Sequence, residues 1–112
     1  MREFEENLGF LDYQLTQSSL SEKLETNASY LSKIIKIYKE KNYNVYIGDL
    51  RTNYIIELLN NDKKFLDKEI KELAHLGGFN NPENFADHFK RKLNTTPSQY
   101  IKNLKQERDN IA

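Results

Sequence analysis

Apolar residues recur along this chain at intervals of three and four, the spacing of one face of an α-helix, and no run reads as a convincing strand. Phe4, Leu8, Leu11 and Leu15 mark the first such face and predict a leading helix over about 3–14, with Gly9 a local weakness of about 1 kcal/mol. Gln17, Ser18 and Ser19 offer caps ahead of Leu20 and Leu24, a short second helix ending near Thr26-Asn27. From there Tyr30, Leu31, Ile34, Ile35 and Tyr38 define the inward face of a third helix. Ser29, Ser32, Lys33, Lys36 and Lys39 fall on its other side, and it stops near Lys41-Asn42.

Val45, Ile47, Leu50, Tyr54, Ile55, Leu58 and Leu59 then carry a longer helix of about sixteen residues, a rod of about 24 Å closed by Asn60-Asn61-Asp62. Asp67 is placed to cap a helix holding Ile70, Leu73, Ala74 and Leu76, which Gly77-Gly78 must terminate, and Phe79 packs as the chain turns. Asn81-Pro82 is a cap followed by Pro at the first helical position, and it opens a helix that buries Phe85, Phe89 and Leu93. Asn94 suits a left-handed stop. Thr96-Pro97 starts a last helix with Tyr100, Ile101 and Leu104 inward, fraying after Lys105. The expected fold class is therefore all-α, with about seven helices in one domain spanning 1–112.

The chain also repeats itself. Leu20-Ser21 answers Leu73-Ala74, and Leu31, Ile35 and Lys36 answer Phe85, Phe89 and Lys90, the second copy being one residue longer at its turn. Each copy reads as a short helix, a tight turn and a longer helix with an exposed polar face, which is a helix-turn-helix. The expected layout is a leading helix (1–14), a first unit (15–44), a linker helix (45–62), a second unit (63–96) and a closing helix (97–112). Two such units about 34 Å apart would present both second helices to successive major grooves of one duplex.

Composition first argues against that reading and then qualifies itself. Seventeen Lys and Arg offset seventeen Asp and Glu in 112 residues, so the domain lacks the overall basic charge typical of nucleic-acid binders. The charge is nevertheless segregated. Residues 1–25 hold six acids against Arg2 and Lys23, a local −4, whereas residues 26–44 hold four Lys against Glu40, a local +3. There is no Cys, and the two histidines, His75 and His88, fall on different helices without metal spacing or a neighbouring nucleophile, so no metal, cofactor or enzymatic role is expected. His88 is a candidate for a phosphate contact that strengthens below pH ~6.5. No apolar stretch approaches a bilayer span, the acidic start is unlike a signal peptide, and a soluble, cytoplasmic piece is expected, with Met1 also compatible with a segment cut from something longer.

Leu20-Ser21-Glu22-Lys23-Leu24, Asn27-Ala28-Ser29-Tyr30-Leu31-Ser32-Lys33 and Tyr46-Ile47-Gly48-Asp49-Leu50-Arg51 follow one known pattern. Ile70, Ala74, Gly78-Phe79, Phe85, Phe89-Lys90-Arg91, Thr96-Pro97 and Tyr100 follow its more specific second half. Over about 15–105 the chain resembles the DNA-binding domain of AraC-type (AraC/XylS family) transcriptional regulators, in a Bacteroidetes-like style. The resemblance implies a homeodomain-like fold, double-stranded DNA read in the major groove, contact with RNA polymerase and a nucleoid location. It also implies a sensor region outside this chain, with membrane tethering of the full-length protein left open and no membrane contact by this segment.

By the same resemblance the base-reading positions of the first unit are Ser29, Ser32 and Lys33. Serine donates and accepts at base edges, and Lys33 suits guanine O6 and N7 or a phosphate. Lys36, Lys39 and Lys41 add charge for the DNA backbone. In the second unit the base-reading positions map to Pro82, Glu83, Ala86 and Asp87, and the acidic Asp87 departs from the usual Arg or Lys, facing phosphates with the wrong sign. Lys90, Arg91 and Lys92 remain for phosphates, with Asn80, Asn81 and Asn84 for the backbone. A division of labour follows, in which the first unit reads bases and the second mostly positions. Arg51 is expected to brace the linker helix through a partly buried ion pair. The alternative function is an all-helical protein-interaction module that has kept this fold with little DNA recognition.

Overall fold

Asparagine opens and a left-handed residue closes both of the longer polar-faced helices. The computed structural model describes residues 1–111, and its helices are α1 (Arg2–Glu6), α2 (Gln17–Lys23), α3 (Ala28–Lys39), α4 (Tyr43–Asn61), α5 (Ile70–Leu76), α6 (Pro82–Leu93) and α7 (Pro97–Ile111). The Asn27 side chain accepts from the Tyr30 amide at 2.9 Å to start α3, and Asn81 accepts from Asn84 at 2.8 Å to start α6. Glu40 and Asn94 end the two helices with φ of 57° in each case. The turns match as well. The Thr26 amide donates to Ser21 O across a left-handed Glu25 (φ 58°), as the Phe79 amide donates to Ala74 O across Gly78 (φ 89°). The internal repeat seen in the sequence is thus a structural repeat, and among the described residues the fold is all-helical.

Glu25 occupies a conformation that favours glycine, whereas its counterpart Gly78 is glycine already. Glu25→Gly is therefore expected to stabilise the domain by about 0.5–1 kcal/mol, read as a raised midpoint in urea unfolding.

The linker helix α4 serves two cores. Its first half places Tyr46 and Ile47 against Leu15, Leu20, Leu31 and Ile35 of the first unit. Its second half places Ile55 and Leu59 against Leu73, Phe79, Phe85 and Phe89 of the second and Ile101 of α7. Phe79, Phe85 and Phe89 are fully enclosed and meet at ring separations of 5.4 and 5.7 Å, so they are core rather than a stacking platform for bases. At 19 residues, α4 runs about 28 Å, and the molecule extends 51 × 23 × 23 Å.

Four expectations change. The leading helix does not run to residue 14: it ends at Glu6, Leu8 turns left-handed (φ 58°), and Gly9–Leu11 form a 3₁₀ turn. The reversal leaves Leu8 exposed and brings Phe10 into the interior, edge-on to Phe4 and Tyr54. Next, Asp67 does not cap α5. It closes a second 3₁₀ turn, Lys63–Asp67, which is capped by Asp62 and carries Leu66 into the core. Asp67 instead lies 3.7 Å from Lys105 and 3.6 Å from Arg108, and α7 continues to Ile111 rather than fraying after Lys105. Finally, Tyr30 and Tyr38, read as inward, are exposed, because Leu31 and Ile35 alone supply the buried face of α3.

Candidate nucleic-acid interface

A helix turns about 100° per residue, so Lys33 lies opposite the midpoint of the buried pair Leu31 and Ile35 on α3. Ser29 and Lys36 share this outward face and are exposed, while Ser32 sits nearer the core and is half-buried. Tyr30 and Ile37 lie on the other flank of Lys33, 56 % and 69 % exposed.

The four lysines of this segment are not equivalent. Lys39 Nζ is 3.4 Å from the Glu5 carboxylate and 5.9 Å from the Tyr46 ring, and the Tyr46 hydroxyl donates to the same Glu5. Burial and Glu5 together hold the Tyr46 hydroxyl protonated far above its ordinary range. Lys41 pairs with Asp49 at 2.6 Å. Among the described residues no carboxylate lies within 4.0 Å of Lys33 or Lys36, so half of the local positive charge points outward without an internal partner.

On α6, Asp87 stands where Lys33 stands on α3, opposite the buried Phe85 and Phe89. Glu83, Asn84, Lys90 and Arg91 are exposed around it. The Asn81 side-chain oxygen is occupied by the helix cap, leaving its amide NH₂ outward. The outward face of α6 therefore mixes signs where that of α3 is cationic.

His88 is not on this outward face. Its ring packs so closely on α4 that a Cβ at Gly48 would sit 2.2 Å from it, and it lies 5.6 Å from the Phe79 ring. Burial, then Arg91, holds its pKa below the ordinary histidine value, which disfavours the phosphate contact expected of it. His75 is exposed beside Tyr13, at 5.9 Å. A polar cleft of about 490 Å³ separates the start of α4 from α6, lined by Asn42, Asn44, Arg51, Asn84, His88 and Arg91.

The 3₁₀ turn after α1 is held between the linker helix and the turn of the second unit. The buried Arg51 of α4 donates from Nε to Phe10 O at 2.6 Å and from a terminal nitrogen to Asp12 O at 2.9 Å, and stands 5.9 Å from the Phe79 ring. It braces the linker as expected, but through backbone carbonyls and not through an ion pair. Burial lowers its pKa, opposed by Tyr43 and Asp12. From the other side Gly78 presses on the same turn, with no room for a side chain against Phe10 O and the Leu11 backbone. These contacts carry no signal in the local sequence, since each joins positions 28 or more residues apart.

Among the described residues no cluster of His, Asp and Glu fits a metal ion, and no helix is long and apolar enough to cross a membrane.

Residues 20–103 match the family model described as a helix-turn-helix domain. The chain is 30% identical over 105 residues to the melibiose operon regulatory protein of Escherichia coli, covering 90% of this chain and 33% of that protein. It is 33% identical over 95 residues to an uncharacterised HTH-type transcriptional regulator from the cgkA 5′ region of Pseudoalteromonas carrageenovora, covering 85% and 52%. It thus spans about a third to a half of the length of these relatives. Among solved structures, the C-terminal domain of the two-component response regulator yesN from Fusobacterium nucleatum superposes with a TM-score of 0.70 at 28% identity, covering 89% of this chain and 96% of that one. The C-terminal domain of AraT, a response regulator from Geobacillus stearothermophilus, shares the fold, with a TM-score of 0.74 at 24% identity and coverage of 91% and 83%. With two matching helix-turn-helix units on one linker helix and the family model spanning both, the chain belongs to the AraC-type helix-turn-helix family.

Proposed function

We propose that this domain is the sequence-specific, double-stranded DNA-binding output of a bacterial transcription regulator. The observation that carries the reading is the outward face of α3, where Lys33 and Lys36 project beside Ser29 with no carboxylate partner among the described residues. Donors of this kind suit major-groove base edges and phosphates. Ser29, Ser32 and Lys33 read bases in this account, and Lys36 holds the backbone. Lys39 contributes through long-range charge, being held by Glu5. The names of the relatives, an operon regulatory protein and an HTH-type transcriptional regulator, support the same function.

The second unit grips more than it reads. Lys90, Arg91, Asn81 and Asn84 serve the DNA backbone, while Glu83 and Asp87 occupy base-reading positions with charges that phosphates repel and only a cytosine amino group favours. The greater length of the relatives leaves room for a sensor region and for contacts with RNA polymerase in the whole protein, which would act at the nucleoid.

Titration of labelled random duplex at about 50 and about 200 mM salt tests this. Neutralising about three phosphates should weaken binding roughly 40-fold between the two conditions. Arg91→Ala should weaken all sequences alike and flatten the salt slope by about 1. Millimolar or absent binding at low salt, unchanged by Lys33→Ala with Lys36→Ala, would overturn this reading and leave the protein-interaction module as the alternative.

A further inference from the structure

Tyr30 and Ile37 stand three residues before and four residues after Lys33, so the three side chains form one ridge along the outward face of α3. Both apolar side chains are more than half exposed, Tyr30 at the rim of a shallow dent shared with Met1, Leu24 and Leu31, so most of their apolar surface stays hydrated in the free domain. The corresponding positions on α6 are Asn84 and Arg91, so the apolar ridge is particular to the first unit. Its neighbours are the outward cations Lys33 and Lys36, which call for a polyanion against this face. A two-fold contact with a second copy centred on the ridge would set Lys33 against its own counterpart.

Within a major groove the one apolar feature is the 5-methyl group of thymine. We propose that Tyr30 and Ile37 are specificity-determining residues of the first unit, each resting on a thymine methyl beside the base pair that Lys33 contacts. The proposal rests on the DNA-binding reading and adds thymine to the half-site which that reading leaves undefined. The second unit, with Asn84 and Arg91 in these places, has no such preference.

Duplexes selected from a random pool by the unmodified domain provide the probe, each resynthesised with deoxyuridine for thymine so that only methyl groups are lost. The unmodified domain should bind the deoxyuridine form roughly fourfold more weakly per contacted methyl. Ile37→Ala and Tyr30→Ala, both at exposed positions and checked for unchanged helicity, should each reduce that ratio toward one. Lys33→Ala should lower affinity and keep the ratio. Equal binding of both forms by the unmodified domain, with Lys33→Ala still weakening it, overturns this proposal and leaves the DNA-binding reading intact. Failure to select any duplex removes both. An Ile37→Ala variant that keeps the ratio but changes a dimer to a monomer in sedimentation overturns the proposal in favour of contact between copies.

Discussion

Gly78→Ala should destabilise the domain by about 2–4 kcal/mol, lowering the melting midpoint by roughly 10–20 °C in a thermal circular-dichroism scan. Two penalties coincide at this residue. Its φ of 89° lies in the region that side-chain-bearing residues avoid. A Cβ there would also meet Phe10 O at 2.7 Å and the Leu11 backbone at 2.9 Å. Both are main-chain atoms held in place by the Arg51 hydrogen bonds to Phe10 and Asp12, so they cannot yield as a flexible side-chain tip would. The opposite sign expected for Glu25→Gly, at the equivalent turn of the first unit, gives an internal comparison. A loss below about 1 kcal/mol for Gly78→Ala would mean that the 3₁₀ turn after α1 slides freely and is not held between the linker helix and the turn of the second unit.

Lys33→Ala should reduce affinity for a preferred site roughly 10- to 100-fold while changing affinity for random duplex only slightly. The reason is positional. Lys33 is at the centre of the exposed face of α3, directly opposite the buried residues Leu31 and Ile35, and among the described residues no carboxylate competes for its ammonium group. A donor so placed discriminates between bases by about 1–3 kcal/mol when it pairs with a guanine edge. Lys36→Ala is the contrasting case, because a phosphate contact weakens all sequences together. Competition binding with specific and random duplex separates the two effects. An equal loss on both duplexes after Lys33→Ala would place this lysine on the backbone.

The helices from Gln17 onward and the second helix-turn-helix turn were legible in the sequence because their determinants are local, whereas the left-handed Glu25 of the first turn carries no such signal. Asn27, Asn42 and Asn81 cap amides three residues on, Pro82 suits the first helical position, and Asn94 and Gly78 adopt the left-handed conformations that their types favour. The course of residues 7–12 was not legible. It depends on Arg51 and Gly78, whose contacts with Phe10, Leu11 and Asp12 span about 40 to 70 positions, and the apolar spacing of Phe4, Leu8 and Leu11 imitates a continuous helix. Asp67 likewise looked like a cap because its partners, Lys105 and Arg108, lie far along the chain.

On the candidate site, helical spacing alone placed Ser29, Lys33 and Lys36 outward, and the geometry agrees. The same spacing misplaced Tyr30 by treating every apolar residue as inward, whereas the core contact of α3 is narrow. Charge counting overstated the free cations of this segment, since Glu5 and Asp49 engage Lys39 and Lys41 from other helices. The zero net charge of the chain consequently conceals a small positive face and not a large one.

The unequal roles of the two units are tested most directly by measuring the affinity of the unmodified domain for every single-base-pair variant of its selected site. The expected result is discrimination of about 1–3 kcal/mol per position confined to one half-site. In the other half-site, variants should differ by less than about 0.5 kcal/mol, and Asp87→Ala should leave the whole profile in place. Equal discrimination in both half-sites, or a profile abolished by Asp87→Ala, would contradict the account.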